Sequence, residues 1–134
     1  MMTQQKTMFA VKRTKTGLGL FATKLIPKGK RIIEYTGPLI SNEEVGKSYG
    51  RYFFGISKKW SIDGSPRSNV ARYINHSCQP NAYMKTLHGH MLFFALRDIR
   101  AGEEITVDYQ VTLHPDTKRC RCRAANCRGT INRV

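Results

Sequence analysis

Four cysteines are the residues of this chain with the clearest chemistry. Three of them follow the pattern Cys-x-Cys-x4-Cys at Cys120, Cys122 and Cys127, and Cys78 lies well upstream. Intracellular thiols in a tight cluster more often hold zinc than form disulfides, because the cytosol keeps thiols reduced and four thiolates complete a tetrahedral shell. The pattern favours one structural zinc ion on all four cysteines. The alternative is three free thiols and one buried core cysteine.

A second group of polar side chains occupies residues 72–81, which read Arg-Tyr-Ile-Asn-His-Ser-Cys-Gln-Pro-Asn. Taken alone, His76 is more often a structural histidine than a catalytic one, and no Ser/His/Asp order or pair of carboxylates supports a hydrolase. The Gly17-x-Gly19 pair is equally weak by itself, because most such turns only reverse the chain. Neither feature alone defines a function.

Five motifs in a fixed order give these residues a common context. They are Thr16-Gly17-Leu18-Gly19-Leu20-Phe21-Ala22, Glu34-Tyr35-Thr36-Gly37, residues 72–81, Gly102-Glu103-Glu104-Ile105-Thr106-Val107-Asp108-Tyr109 and Cys120-Arg121-Cys122-x4-Cys127-Arg128-Gly129. In this order they resemble the motifs of a SET domain followed by a post-SET segment. The resemblance implies a protein-lysine N-methyltransferase that uses S-adenosylmethionine. It also implies a fold of small curved β-sheets with short helices, a C-terminal pseudoknot and a zinc-bound post-SET tail.

The resemblance divides the chain into three parts: an N-terminal tail over residues 1–8, a SET domain over residues 9–113 and a post-SET segment over residues 114–134. The post-SET segment is too short and too poor in large apolar residues to form a core of its own. The resemblance implies that Cys78, Cys120, Cys122 and Cys127 bind one zinc ion, which fastens the tail to the cofactor pocket. All four ligands come from the protein, so this zinc is structural.

The resemblance also implies which residues bind S-adenosylmethionine. Backbone groups of the glycine motif would contact the methionine part, and the Asn-His pair would bind through side chain and backbone. A guanidinium between two zinc ligands would lie against the adenine. The predicted cofactor-binding residues are Thr16, Gly17, Leu18, Gly19, Tyr35, Arg72, Asn75, His76, Tyr109 and Arg121.

Tyr109 and Tyr35 are the predicted catalytic residues, since the resemblance implies that both line a narrow channel where the substrate lysine meets the methyl-sulfonium. The reaction is an in-line displacement by a neutral amine, and an apolar channel beside a cation favours loss of the lysine proton. Tyr109 would align the amine through its hydroxyl; tyrosine titrates near ~10, so it is a poor general base. Without the resemblance, Tyr35 is a half-buried strand aromatic. Glu104 and Asp108 are given structural roles.

Val107 departs from the family pattern, because many relatives carry Phe or Tyr two residues before the channel tyrosine. A smaller side chain leaves room for a larger amine or a water molecule. This favours di- or trimethylation unless Tyr83 or Met84 refills the space.

The segments between these motifs are short apolar runs separated by turn residues. This pattern predicts a mostly β fold, whose strands and turns position the site residues. Residues 9–11 and 20–22 are expected to pair across a turn at Gly17-Leu18-Gly19. Ser41 and Glu44 form a capping box that predicts one short helix to about Tyr49. The other predicted elements are a turn at residues 27–29, a strand over 31–35, and hairpins joining 51–56 to 60–63 and 82–87 to 90–96.

Charge predicts the class of partner. The chain has 23 Lys+Arg against 9 Asp+Glu, a net charge of +14, and such a field attracts polyanions. We therefore expect nucleic-acid or nucleosome contact through the basic surface, beside a lysine-bearing protein substrate such as a histone. The alternatives are a basic surface without a polyanionic partner, and a non-catalytic SET-fold module that binds nucleic acid or protein.

Length and hydropathy exclude other classes. A chain of 134 residues corresponds to one domain. The longest apolar run, residues 91–96, is far shorter than the ~20 residues of a membrane helix. The N-terminus shows no apolar stretch typical of a signal peptide. We expect no membrane association and an intracellular location, either cytoplasmic or nuclear.

Overall fold

The computed structural model describes residues 8–14, 17–45 and 53–108. In these residues, ten short strands form four small sheets, accompanied by one turn of α-helix and one 3₁₀ turn. The predicted mostly β class is confirmed. No helix in the described ranges is long and apolar enough to cross a membrane.

The elements are short and closely spaced. The strands are β1 Phe9–Thr14, β2 Gly17–Ala22, β3 Arg31–Tyr35, β4 Leu39–Ser41, β5 Phe53–Gly55, β6 Trp60–Asp63, β7 Asn75–His76, β8 Ala82–Leu87, β9 His90–Ala95 and β10 Thr106–Val107. The helix is α1 Asn42–Val45, and the 3₁₀ turn is Val70–Tyr73. Strand orders are β1-β2, β3-β9-β8, β4-β6-β5 and the parallel pair β10-β7.

The first hairpin is confirmed, but its predicted turn is wrong. β1 pairs antiparallel with β2 from Phe9 opposite Ala22 to Thr14 opposite Gly17. Gly17, Leu18 and Gly19 are therefore strand residues, paired with Thr14, Arg13 and Lys12. Gly17 has a φ of +127°, which glycine tolerates, so the strand ladder can begin at this residue.

The other predicted hairpins are present. β8 and β9 pair across His88 and Gly89, both with positive φ, as the tight turn between two strands requires. β5 pairs with β6, and β4 adds to the other edge of β6. Strand β4 was not predicted, because three residues after a Gly-Pro pair carry too little pattern.

Helix α1 begins where the capping box predicts. The Ser41 Oγ accepts a hydrogen bond from the Glu44 N–H at 3.2 Å, which satisfies one of the unpaired donors of the first helical turn. The predicted continuation to Tyr49 falls on residues 46–50, outside the described residues.

One apolar cluster lies between the sheets and the loops that join them. Its most completely buried side chains come from β2, β3, β9, β10 and two loops; they include Leu20, Ile26, Tyr35, Phe93, Ile99, Ile105 and Val107. The loop after β2 is joined to the loop after β9, because Ile26 and Ile99 exchange both backbone hydrogen bonds, at 2.8 and 2.9 Å.

The ion pair in the second of these loops predicts a pH-dependent contribution to stability. The Arg97 guanidinium, 2.9 Å from Glu103, and the Arg100 N–H hold the pKa of the Glu103 carboxyl below its usual value. The contribution is therefore complete above the usual carboxyl pKa and is lost as pH falls through the lowered one. Because the pair is partly exposed, Glu103→Gln should lower the free energy of unfolding by less than about 1 kcal/mol at pH 7.

Urea unfolding of wild type and Glu103→Gln at pH 7 and at pH 3 measures this effect. The difference between the two proteins should shrink as the pH falls. A constant difference across that range would contradict the assignment of the shift to this pair.

Candidate active site

Asn75 joins three segments that are far apart in the sequence. Its Nδ2 donates hydrogen bonds to the Leu18 carbonyl at 2.9 Å and to Glu104 Oε2 at 2.8 Å. The parallel pairing of β7 with β10 places Asn75 opposite Thr106. The glycine motif, the Asn-His motif and the segment that leads to Tyr109 therefore converge at this side chain.

Gly17 and Gly19 of β2 differ in the space around them. A Cβ on Gly19 would lie 2.5 Å from Glu104 Oε2, so a larger residue would displace the carboxylate that holds Asn75. A Cβ on Gly17 would meet nothing within 4 Å, and Leu18 is 44% exposed. Among the described residues, the space beside Gly17 is therefore open, whereas the Gly17 carbonyl accepts from Thr14 Oγ1 at 2.8 Å and the Leu18 carbonyl accepts from Asn75.

Asn81 holds the segment from Glu104 to Thr106, which also contacts Asn75. Its Nδ2 donates to the Glu104 carbonyl at 2.8 Å, and its Oδ1 accepts from the Thr106 N–H at 2.9 Å. The side chain is buried, so both ends satisfy polar groups that water does not reach. Sequence reasoning included Asn81 in a motif but gave it no role; the only signal was a polar residue among apolar neighbours.

His76 is buried between a carboxylate and a thiol. Its Nδ1 lies 3.7 Å from Asp108 Oδ1, and its Nε2 lies 3.4 Å from Cys78 Sγ. One predicted zinc ligand thus contacts one predicted cofactor residue. Asp108 thus also contacts this predicted cofactor residue.

The remaining predicted zinc ligands, Cys120, Cys122 and Cys127, lie outside the described residues, as do Thr16, Tyr109 and Arg121. Among residues 8–14, 17–45 and 53–108, no three His, Cys, Asp or Glu side chains form a group that could hold a metal ion. Cys78 is the one proposed ligand in this part of the chain. The zinc site therefore stays a prediction.

Tyr35 is more deeply buried than a half-buried strand aromatic. It ends β3 with 1% of its surface exposed, and its ring packs edge-on against Phe54 at 4.7 Å between centroids and stacks on Phe93 at 6.2 Å. Gly64 lies directly on the ring, where any Cβ would overlap it. Two aromatic rings and one glycine therefore pack closely against the ring of Tyr35.

Asn69 holds the frame around Tyr35 and was missed by sequence reasoning. This buried amide accepts a hydrogen bond from the Thr36 N–H at 3.0 Å and donates one to the Gly64 carbonyl at 3.0 Å. In the 3₁₀ turn that follows, Arg72 donates to the Ser65 carbonyl at 2.7 Å. The predicted cofactor residue Arg72 thus contacts the Gly64-Ser65 segment that Asn69 also holds.

Val107 is fully buried and belongs to the apolar cluster. Of the two residues considered for the space beside it, Met84 packs against the same cluster. Tyr83 instead is 39% exposed and stacks on Phe94 at 5.5 Å between ring centroids.

The geometry and the sequence agree with a known family. Residues 17–110 match the SET domain family, and the chain belongs to it. Over 131 residues the chain is 43% identical to the histone-lysine N-methyltransferase Set2 of Drosophila melanogaster, covering 87% of this chain and 6% of Set2. It is 38% identical over 130 residues to the H3 lysine-4 specific histone-lysine N-methyltransferase of Schizosaccharomyces pombe, covering 86% of this chain and 14% of that protein. The chain therefore spans a small part of these relatives.

Solved structures show the same fold. Arabidopsis thaliana SUVH6 in complex with SAM superposes with a TM-score of 0.81 at 30% identity, covering 92% of this chain and 33% of SUVH6. KRYPTONITE in complex with mCHH DNA, H3(1-15) peptide and SAH gives a TM-score of 0.78 at 29% identity, covering 92% and 29% of the two chains. The SET fold with small sheets and few helices is confirmed. The predicted pseudoknot involves residues beyond 108, outside the described part of the chain.

Proposed function

We propose that the chain is an S-adenosylmethionine-dependent protein-lysine N-methyltransferase. The observation that carries the proposal is the junction at Asn75, where one amide binds both the Leu18 carbonyl and the Glu104 carboxylate. Relatives named histone-lysine N-methyltransferase and neighbours bound to SAM or SAH support it.

The residues around Asn75 fit the cofactor role. Leu18 and Glu104 engage both amide hydrogens of Asn75, so the plane of this amide is fixed before any ligand binds. Among the described residues, the space beside Gly17 is open, which leaves room for a ligand at the start of β2. Bound S-adenosylmethionine would supply an electrophilic methyl group. Thr16, Gly19, Tyr35, Arg72, His76, Tyr109 and Arg121 complete the proposed binding set.

The surroundings of Tyr35 suit an uncharged amine. Phe54, Phe93 and Gly64 pack around its ring, and a lysine that enters apolar surroundings beside a cation has its pKa lowered by desolvation and like-charge repulsion. We assign Tyr35 to the wall of the lysine channel. Tyr109 would align the amine through its hydroxyl, so alignment supplies much of the rate.

The proposed substrate is a lysine of a histone or of another nucleic-acid-associated protein. The histone-lysine methyltransferase relatives and the net charge of +14 support this class and a location in the nucleus or cytoplasm. We propose a SET domain over residues 9–113, flanked by the tail 1–8 and the post-SET segment 114–134. Strand β1, which begins at Phe9, supports the first boundary.

Transfer of labelled methyl from S-adenosylmethionine tests the activity. Core histones, intact nucleosomes and a bulk basic protein extract serve as substrates, and mass spectrometry identifies the modified residue. Label on lysine is the expected result. Absence of both cofactor binding and label would contradict the proposal and favour a non-catalytic module that binds nucleic acid or protein.

The proposed zinc site predicts one zinc ion per chain. Four thiolates on Cys78, Cys120, Cys122 and Cys127 would complete a tetrahedral shell. Native mass spectrometry should find one zinc, and Cys78→Ser should weaken its retention. Because Cys78 contacts His76, the same change should also weaken cofactor binding. A native protein free of metal would contradict the assignment.

A further inference from the structure

Two loops form one continuous surface, which we call the two-loop platform: residues 23–30 after β2 and residues 96–105 after β9. Besides the reciprocal bonds of Ile26 and Ile99, the Gly29 N–H donates to the Ala95 carbonyl at 2.8 Å. The Lys28 N–H donates to Asp98 Oδ1 at 2.8 Å. Each loop is therefore held in place by the other.

The two-loop platform presents exposed cations. They are Lys24, Lys28, Lys30, Arg97 and Arg100. Arg97 is paired with Glu103 at 2.9 Å, whereas the other four make no ion pair with any carboxylate in the described ranges. Four cations thus face solvent on a fixed backbone.

Each carboxylate of the two-loop platform accepts a hydrogen bond. Asp98 accepts the Lys28 N–H, and Glu103 accepts from Arg97 and from the Arg100 N–H. Glu104 accepts from Asn75, on the cofactor side. The five cations outnumber these three carboxylates, so the two-loop platform carries a net positive charge of two.

We propose that the two-loop platform binds the phosphate backbone of duplex nucleic acid without reading its sequence. Exposed, unpaired lysines and arginines on a rigid surface are the groups that neutralise phosphates. Neither loop contains an aromatic residue, so the platform offers no ring on which unpaired bases could stack. An open groove runs between the loops, and Lys28, Arg97 and Arg100 line it together with Leu25, Asp98 and Glu103.

The same observations disfavour a membrane surface. The exposed apolar side chains of the two loops are Leu25 and Leu96, with no Trp, Phe or Tyr. Interfacial binding needs a larger buried apolar face than two leucines provide.

The cations of the two-loop platform lie away from the start of β2, although its Glu104 also holds Asn75 of the cofactor site. Both the platform and the cofactor site adjoin β2, but the cofactor site lies at Gly17 and the platform follows Ala22, about 17 Å away at ~3.3 Å per residue. A bound duplex would leave the start of β2 open. The binding of the duplex does not depend on the proposed function. Only the further idea, that the platform brings a nucleic-acid-bound protein to the active site, rests on that function.

Fluorescence anisotropy with a short duplex DNA tests the proposal on the full chain. If the four unpaired cations each neutralise one phosphate, the logarithm of the binding constant falls with the logarithm of salt at a slope of about −3.6. Between 50 and 200 mM salt the affinity then drops roughly 150-fold.

Two variants of equal net charge locate the surface. Lys28→Glu with Arg100→Glu alters the two-loop platform. Lys58→Glu with Lys59→Glu alters two exposed lysines in the β5–β6 connection, whose recorded hydrogen bonds use backbone groups. The platform variant should lose about 10-fold or more in DNA affinity and show a shallower salt slope. The control should lose less than about 2-fold.

Equal losses in both variants would overturn the proposal, since total charge alone would then explain binding. Loss of binding to phosphatidylserine vesicles without loss of DNA binding would overturn it in favour of a membrane surface. The assay contains no S-adenosylmethionine, so its result is independent of the enzymatic activity. Both variants should transfer methyl to free histones at the wild-type rate.

Discussion

Replacement of Tyr109 by phenylalanine should reduce methyl transfer by about 10²-fold or more while the protein folds normally. The change removes one hydroxyl, which in the proposed mechanism aligns the lysine amine, and misalignment of reacting groups commonly has effects of this size. The measurement is the rate of label transfer to the best substrate, with circular dichroism and cofactor binding measured on the same sample.

Tyr83→Phe is the matched control for this experiment. Tyr83 is exposed and stacks on Phe94 through its ring, so loss of its hydroxyl should leave the rate unchanged. A Tyr109→Phe protein with wild-type turnover would remove this residue from the mechanism.

Gly64→Ala should destabilise the protein strongly and abolish its activity. The added methyl group would overlap the ring of Tyr35, which is itself confined by Phe54 and Phe93. Overpacking of this kind costs about 1–3 kcal/mol, or more where the neighbours cannot move. Thermal unfolding should show a fall in Tm of roughly 3–4 °C for each kcal/mol. Label transfer at a temperature where the variant remains folded then reports displacement of Tyr35.

Gly55→Ala provides the comparison. Gly55 lies in β5, and a Cβ there would meet Ser61 Oγ at 3.7 Å, an ordinary contact. Its Tm and activity should stay close to wild type. Similar losses in both variants would show that any alanine in this part of the fold is disruptive, and would refute a specific contact with Tyr35.

Sequence reasoning succeeded where a local signal sets the structure. The hairpin across His88 and Gly89 follows from two residues that tolerate positive φ, and helix α1 begins at the Ser41 cap. It failed at Gly17-Leu18-Gly19, because glycine pairs are typical of turns and also of strands that another chain segment approaches closely. Here the close neighbour is Glu104, which no local pattern around Gly19 reveals.

The same distinction applies to the candidate site. The sequence motifs were enough to select Asn75, His76 and Tyr35 as candidate site residues. The positioning roles of Asn69 and Asn81 could not, because their hydrogen-bond partners at Thr36 and Thr106 lie 33 and 25 residues away. The two-residue pairing of β7 with β10 is equally invisible in the sequence, since it depends on how the whole domain packs.

The contacts that meet at Asn75 also determine when the site can form during synthesis. Its partners at Leu18 and Glu104 lie 57 and 29 residues away, on opposite sides in the sequence. A nascent chain whose Glu104 is still inside the ribosome therefore has the glycine strand and the Asn-His motif but lacks the carboxylate that binds the second amide hydrogen of Asn75. Contacts of such long range also slow folding, because the intervening loops must close first. The cofactor junction is thus among the last features that the growing chain can complete.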